Sequence, residues 1–299
     1  MREIQAMLAG QEFGSVEEID TRLAELTREG RLHEIANAWN QNDPKWRAQE
    51  LAYDALESDD PIEALRMVNQ ALKLDPDCTQ AQQAMVSLMP MDLDSRVRLM
   101  REVVEKAERN MGESFIRETT GHFWMTMSTR PYMRAKRGLA EVLARAGQLQ
   151  EAIAIFERML ELDPEDHLGA RFALLGLYLA THQPQRADSL IARYPDEENI
   201  LGIVAWARVL ERWLSGRPDH AEALAALAKA RKVNPFVERY LSGASAMPEE
   251  SPPFYRPGEE SEARMCAQEL ATACERNLEF RKWLRASYRK EPWTSGSST

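Results

Sequence analysis

Small, large apolar and charged residues recur along this chain in one order. Three segments show it most plainly: ALRMVNQALKLDP at 64–76, AIAIFERMLELDP at 152–164 and ALAALAKARKVNP at 223–235. Each places an alanine twelve positions ahead of a proline. Apolar residues in these segments fall three and four apart, the spacing of one helix face, and the proline stops the helix. A matching segment lies upstream in two cases, with Leu51, Ala52 and Ala55 before the first and Leu139, Ala140 and Leu143 before the second. Small residues let two antiparallel helices approach closely, and larger ones fill the gap to the next pair. A middle unit shows Leu174, Tyr178, Ala187 and Ile191, with its second helix cut short near Pro195. A weaker unit runs from Cys78 to Met111, and residues 112–131 are surplus to the period.

This spacing resembles the tetratricopeptide repeat, a helix pair of about 34 residues. The fold expected is therefore all-α, a tetratricopeptide-like α-solenoid in which antiparallel helix pairs wind into a right-handed superhelix. Turn signals divide the chain. Asp43-Pro44 and Asp60-Pro61-Ile62-Glu63 are N-cap and first-turn proline pairs, and Ser15-Val16-Glu17-Glu18 opens a helix that closes at Gly30. Residues 1–43 are expected to form an N-terminal helical cap and 44–245 the repeat array, with a connector at 112–131. Four prolines between Met247 and Gly258 predict an extended linker over 246–259. A single C-terminal helix is expected over 260–290, and a disordered tail from 291.

Composition narrows the function. Aromatic residues make up only 7% of the chain, which favours helices over strands. No apolar run reaches the roughly 18 to 20 residues of a membrane span, and no secretion signal is visible, so a cytoplasmic location is expected. The formal charge of -10 and pI near 5.2 disfavour general attraction to nucleic acid or anionic lipid. Cys78, Cys266 and Cys274 have neither metal-ligand nor disulfide spacing, and no two of the five histidines sit three or four apart. With no phosphate-binding glycine loop and no nucleophile elbow, the chain is expected to be non-enzymatic, with no metal and no cofactor.

Two further stretches are more specific than a generic repeat. Gly121-His122-Phe123-Trp124 is followed by Thr129-Arg130-Pro131-Tyr132-Met133-Arg134-Ala135. Asn234-Pro235-Phe236-Val237 is followed by Tyr240-Leu241 and by YRPGEESEA at 255–263. Together with LELDPEDHLGAR at 160–171, these resemble the suppressor of tumorigenicity protein 7 family and its bacterial tetratricopeptide relatives. That resemblance implies a helical repeat scaffold with no known catalytic activity. Met125, Ser128, His167 and Leu168 depart from its pattern.

Arrays of this kind use the first helix of each pair to line a concave groove. The groove positions implied by the resemblance are Trp46, Gln49, Tyr53 and Leu56 in the first unit. They are Arg134, Arg137, Glu141 and Ala144 in the second clear unit, and Ala205, Arg208, Arg212 and Ser215 in the last. The expected partner-binding residues are therefore Arg134, Arg137, Arg208 and Arg212, with Trp46, Tyr53 and Trp124 as aromatic contacts. Arginine forks suit carboxylates, so the expected partner is an acidic protein or peptide segment. Against this, Arg137 with Glu141 and Arg208 with Glu211 read as ordinary surface pairs, Trp124 with Phe123, Tyr132 and nearby methionines reads as packing that fills the solenoid interior, and Arg130 is expected in a structural salt bridge. Alternatives to protein binding are a nucleic-acid-associated repeat protein that places the same arginines on phosphates, which the acidic pI opposes, and a cryptic enzyme.

Overall fold

The computed structural model describes residues 43–216, 220–249 and 254–288, together with Thr21, Glu25 and Arg28. Apart from those three residues and Asp43, the expected N-terminal cap lies outside the described residues, as do the tail from 291 and the middle of the proline-rich linker. The described residues form α-helices and two short 3-10 turns, with no strand among them. The chain is an all-α, tetratricopeptide-like solenoid. It divides into two compact units, Met1–Ala146 with Glu161–Pro164 and Gly147–Leu160 with Glu165–Thr299.

The first unit opens with α1 (Pro44–Glu57) and α2 (Pro61–Leu74), an antiparallel pair. Asp43 and Asp60 cap them, accepting from the N–H groups of Lys45 and Ile62, each at 2.9 Å, and both helices begin on proline. Glu63 does not reach back to close a capping box on Asp60: its carboxylate turns to Arg66 at 2.6 Å, and the Asp60 N–H is satisfied by Ser58 instead. Next come α3 (Thr79–Leu88), α4 (Leu93–Met111), the short α5 (Glu113–Thr119) and α6 (Arg130–Arg145). Alanines bring the elements together. Ala48 and Ala52 of α1 meet Ala71 of α2 and Ala81 of α3, and Ala55 meets Ala64, Val68 and Ala84. Successive first helices are neighbours, α1 beside α3 and α3 beside α6. At Gly138 an added Cβ would lie 3.0 Å from the Met100 side chain and 3.1 Å from that of Gln83, which explains the glycine where α6 passes α4 and α3.

The second unit contains most of α7 (Leu149–Leu162), then α8 (Ala170–Ala180), α9 (Pro184–Ala192), α10 (Gly202–Ser215), α11 (Ala221–Val233) and the single turn α12 (Val237–Leu241). Where one C-terminal helix is expected there are two, α13 (Glu260–Arg276) and α14 (Leu278–Ser287). Asn277 breaks them: its side chain donates to the carbonyls of Leu179 and Ala273, at 3.2 and 2.8 Å, and its backbone leaves the helical region. α13 packs along α8 and α10, the first helices of their pairs. The approach to α8 is so close that a Cβ at Gly176 would sit 2.1 Å from the Glu269 carbonyl oxygen. The repeat alanines Ala152, Ala187 and Ala223 are all buried.

Candidate functional site

The Asn234 and Glu262 motifs serve the fold. Glu262 is buried with no ion pair among the described residues, and its carboxylate accepts from Gly202 N–H at 2.8 Å, Gly258 N–H at 2.8 Å and the Asn234 amide at 2.9 Å. The Asn234 carbonyl accepts from the Trp206 indole N–H at 3.0 Å, and its side-chain amide also donates to the Glu259 carbonyl at 2.9 Å. This one hub ties α10, α11 and the start of α13. A buried carboxylate is tolerated because donors surround it.

The stretch from Gly121 to Ala135 builds something different. Gly121 and Phe123 donate their N–H groups to the Leu162 carbonyl, at 3.0 and 3.1 Å, and Thr129 donates its hydroxyl to the Phe123 carbonyl. Phe123 is thereby buried against Tyr132, with ring centroids 5.9 Å apart, while Trp124 is left half-buried beside α6. Packing accounts for Phe123, as expected, but Met125 and Met127 are exposed. Arg130 donates Nε–H to the Trp124 carbonyl at 2.9 Å and lies 5.0 Å from the indole centroid. One turn on, Arg134 lies 5.5 Å from the same indole and 5.2 Å from the Tyr53 ring, and it donates to the Tyr53 hydroxyl at 2.8 Å. The structural salt bridge expected for Arg130 is not there among the described residues; aromatic stacking holds it instead.

Arg134 thus contacts both Tyr53 and Trp124 within the first unit, which brings together three of the residues singled out in the sequence. Trp46 shares the α1 face with Gln49 and Tyr53, and Arg137 sits one turn beyond Arg134, paired with Glu141 at 2.7 Å. Gln80 and Gln83 of α3, which the sequence did not single out, continue this row. Gln80 donates to Gln83 and Gln83 to the Arg134 carbonyl, each at 3.3 Å. The sequence signal for them was their place on the first helix of the weak second unit. Three buried polar atoms in the row have no hydrogen-bond partner among the described residues: Trp46 Nε1, Gln49 Nε2 and Gln80 Oε1, the last on a residue only 1% exposed.

Arg208 and Arg212 lie in the second unit and have other surroundings. The Arg208 side chain, 10% exposed, pairs with Asp188 of α9, with Glu198 at 3.2 Å and with Glu211 at 2.8 Å. Arg212 reaches Asp188 at 3.7 Å, Glu211 at 3.3 Å and Glu222 at 3.5 Å. Hydrogen bonds and the surrounding carboxylates raise the Arg208 pKa even against the opposing effect of burial. The surface pair expected between Arg208 and Glu211 is therefore a buried network facing α9.

Among the described residues no three His, Cys, Asp or Glu side chains gather as a metal site, and no helix is long and apolar enough to cross a membrane. No curated protein matches the chain. The helix pairs, buried alanines and closing prolines around α7, α8 and α9 have a counterpart among known families: residues 143–199 match the tetratricopeptide repeat family, whose members generally mediate contacts between proteins.

Proposed function

We propose that this chain is a non-catalytic scaffold that docks an acidic protein segment across α1, α3 and α6 of its first unit, with Arg134 as the anchor. The observation that carries this reading is the state of Arg134. It is fixed by Tyr53 and Trp124 and forms no ion pair among the described residues, on a protein whose acids outnumber its lysines and arginines 48 to 38. An immobilised guanidinium loses little freedom on binding a carboxylate, so the cost of ordering is met before the partner arrives. In the second unit α13 covers the α8 and α10 row, and Arg208 and Arg212 already hold acids, so neither belongs to the proposed contact. The resemblance to the suppressor of tumorigenicity protein 7 family adds a repeat scaffold with no known activity.

Retention of immobilised acidic, neutral and basic peptide libraries tests the reading. Acidic peptides should be held preferentially, less so as salt rises, and Arg134→Gln should abolish the preference while Arg212→Gln leaves it unchanged. Equal retention by the parent and Arg134→Gln would sink the assignment.

A further inference from the structure

Resting on that docking surface, the geometry points to a more specific ligand: Arg130 and Arg134, clasping Trp124, form a receptor for a phosphate monoester on the docked segment, that is, for a phosphorylated side chain.

Charge is the first argument. Arg130 and Arg134 stand one turn apart on α6, where like charges repel, yet neither is in an ion pair among the described residues. Elsewhere the protein supplies acids freely: Arg171 has Asp166 and Glu197 at 2.7 and 2.9 Å, and Arg208 has three carboxylates. The second argument is position. Arg130 is the first residue of α6, and the first turn of α6 contains no acid. The amino end of a helix is its positive end, so two arginines there oppose the helix dipole, an arrangement that an added anion reverses.

Stereochemistry selects the anion. Arg130 uses Nε on the Trp124 carbonyl, and Arg134 uses one terminal nitrogen on Tyr53. The remaining nitrogens of both forks make no hydrogen bond among the described residues. Each guanidinium stacks on the same indole, so the edges of the two forks are left for oxygens. Tyr53 accepts from Arg134 and keeps its own hydroxyl proton to donate. A single carboxylate would neutralise one of the two charges. A phosphate monoester carries close to two negative charges at neutral pH and three acceptor oxygens, so it answers both guanidinium groups together.

The test uses the full-length protein and three degenerate peptide libraries, end-capped and identical except for a fixed central phosphoserine, glutamate or serine. The phosphoserine library should be retained about tenfold more strongly than the glutamate library. The excess should vanish in Arg130→Gln and Arg134→Gln. Arg134→Lys preserves charge and fold but lacks the fork, and should lose most of the excess with an unchanged circular dichroism spectrum; full retention by a folded Arg134→Lys counts against the proposal. Inorganic phosphate should compete far more weakly than the phosphoserine peptides, and competition at equal concentration would show that the segment contributes nothing and overturn the idea. Equal retention of the phosphoserine and glutamate libraries would overturn the phosphate assignment and leave acidic-segment docking standing, whereas retention of neither library would remove both.

Discussion

Arg208 shows how far a single side chain's role can depend on the rotation of its helix. From the sequence it occupies a groove position, but its fork is turned to Asp188 of α9 and to Glu198 and Glu211. Replacing it with glutamate would set a fourth carboxylate among three, and should cost about 3–5 kcal/mol of stability by chemical denaturation, because removing one partner of a buried pair leaves the others unanswered. Arg208→Met should be milder, since loss of charge is then partly offset by apolar packing. The cysteines behave as small core residues. Burial pushes the Cys274 thiol up to about 12 and the Cys266 thiol well above its ordinary value, and Cys78 is raised as well. Thiolate is the reactive form, so all three thiols should be silent to a disulfide reagent at pH 8 in the native protein and react in denaturant. Rapid native labelling of Cys266 or Cys274 would contradict the packing of α13.

Helix pairs were legible because their alanines have to be small whatever surrounds them. Ala64, Ala152 and Ala223 are all buried, as their spacing predicts, and Ala152→Trp should destabilise by about 1–3 kcal/mol or more through overpacking. Boundaries set by distant partners were not legible. The break at Asn277 depends on the Leu179 carbonyl, 98 residues away in sequence, and nothing in the local pattern around Leu278 announces it. The same holds for the face of α10, since the spacing from Pro164 to Pro235 is longer than two repeats and leaves the rotation of the later helix undetermined. Within the candidate site, Trp124 and Arg134 stood out by type and motif. The glutamines of α3 did not, because an amide on a helix face reads as ordinary solvated surface. Glu262 can be tested as an element tie: Glu262→Ala strands the donors of Gly202, Gly258 and Asn234, and should lower stability by about 3 kcal/mol or more, while leaving the stacking at Trp124 in the other unit intact.

At the scale of the whole molecule, a net charge of -10 means that anions are not drawn in from a distance. Binding at the first unit should therefore show a modest association rate, and most of the loss in Arg134→Gln should appear as faster dissociation. The last consequence follows from α13. Its buried residues Ala263, Cys266, Ala267, Leu270 and Ala273 belong to the core of the second unit, so the repeats on their own do not make a finished surface. A fragment trimmed after Val233 to isolate the repeats would bare the apolar strip of α8 and α10 that α13 covers. Such a fragment should self-associate on gel filtration and brighten a hydrophobic dye, and in a pull-down it would collect sticky bystanders in place of true partners. Baits for partner capture should run through Ser287, and any hit seen only with the shortened form would report the wound left by trimming.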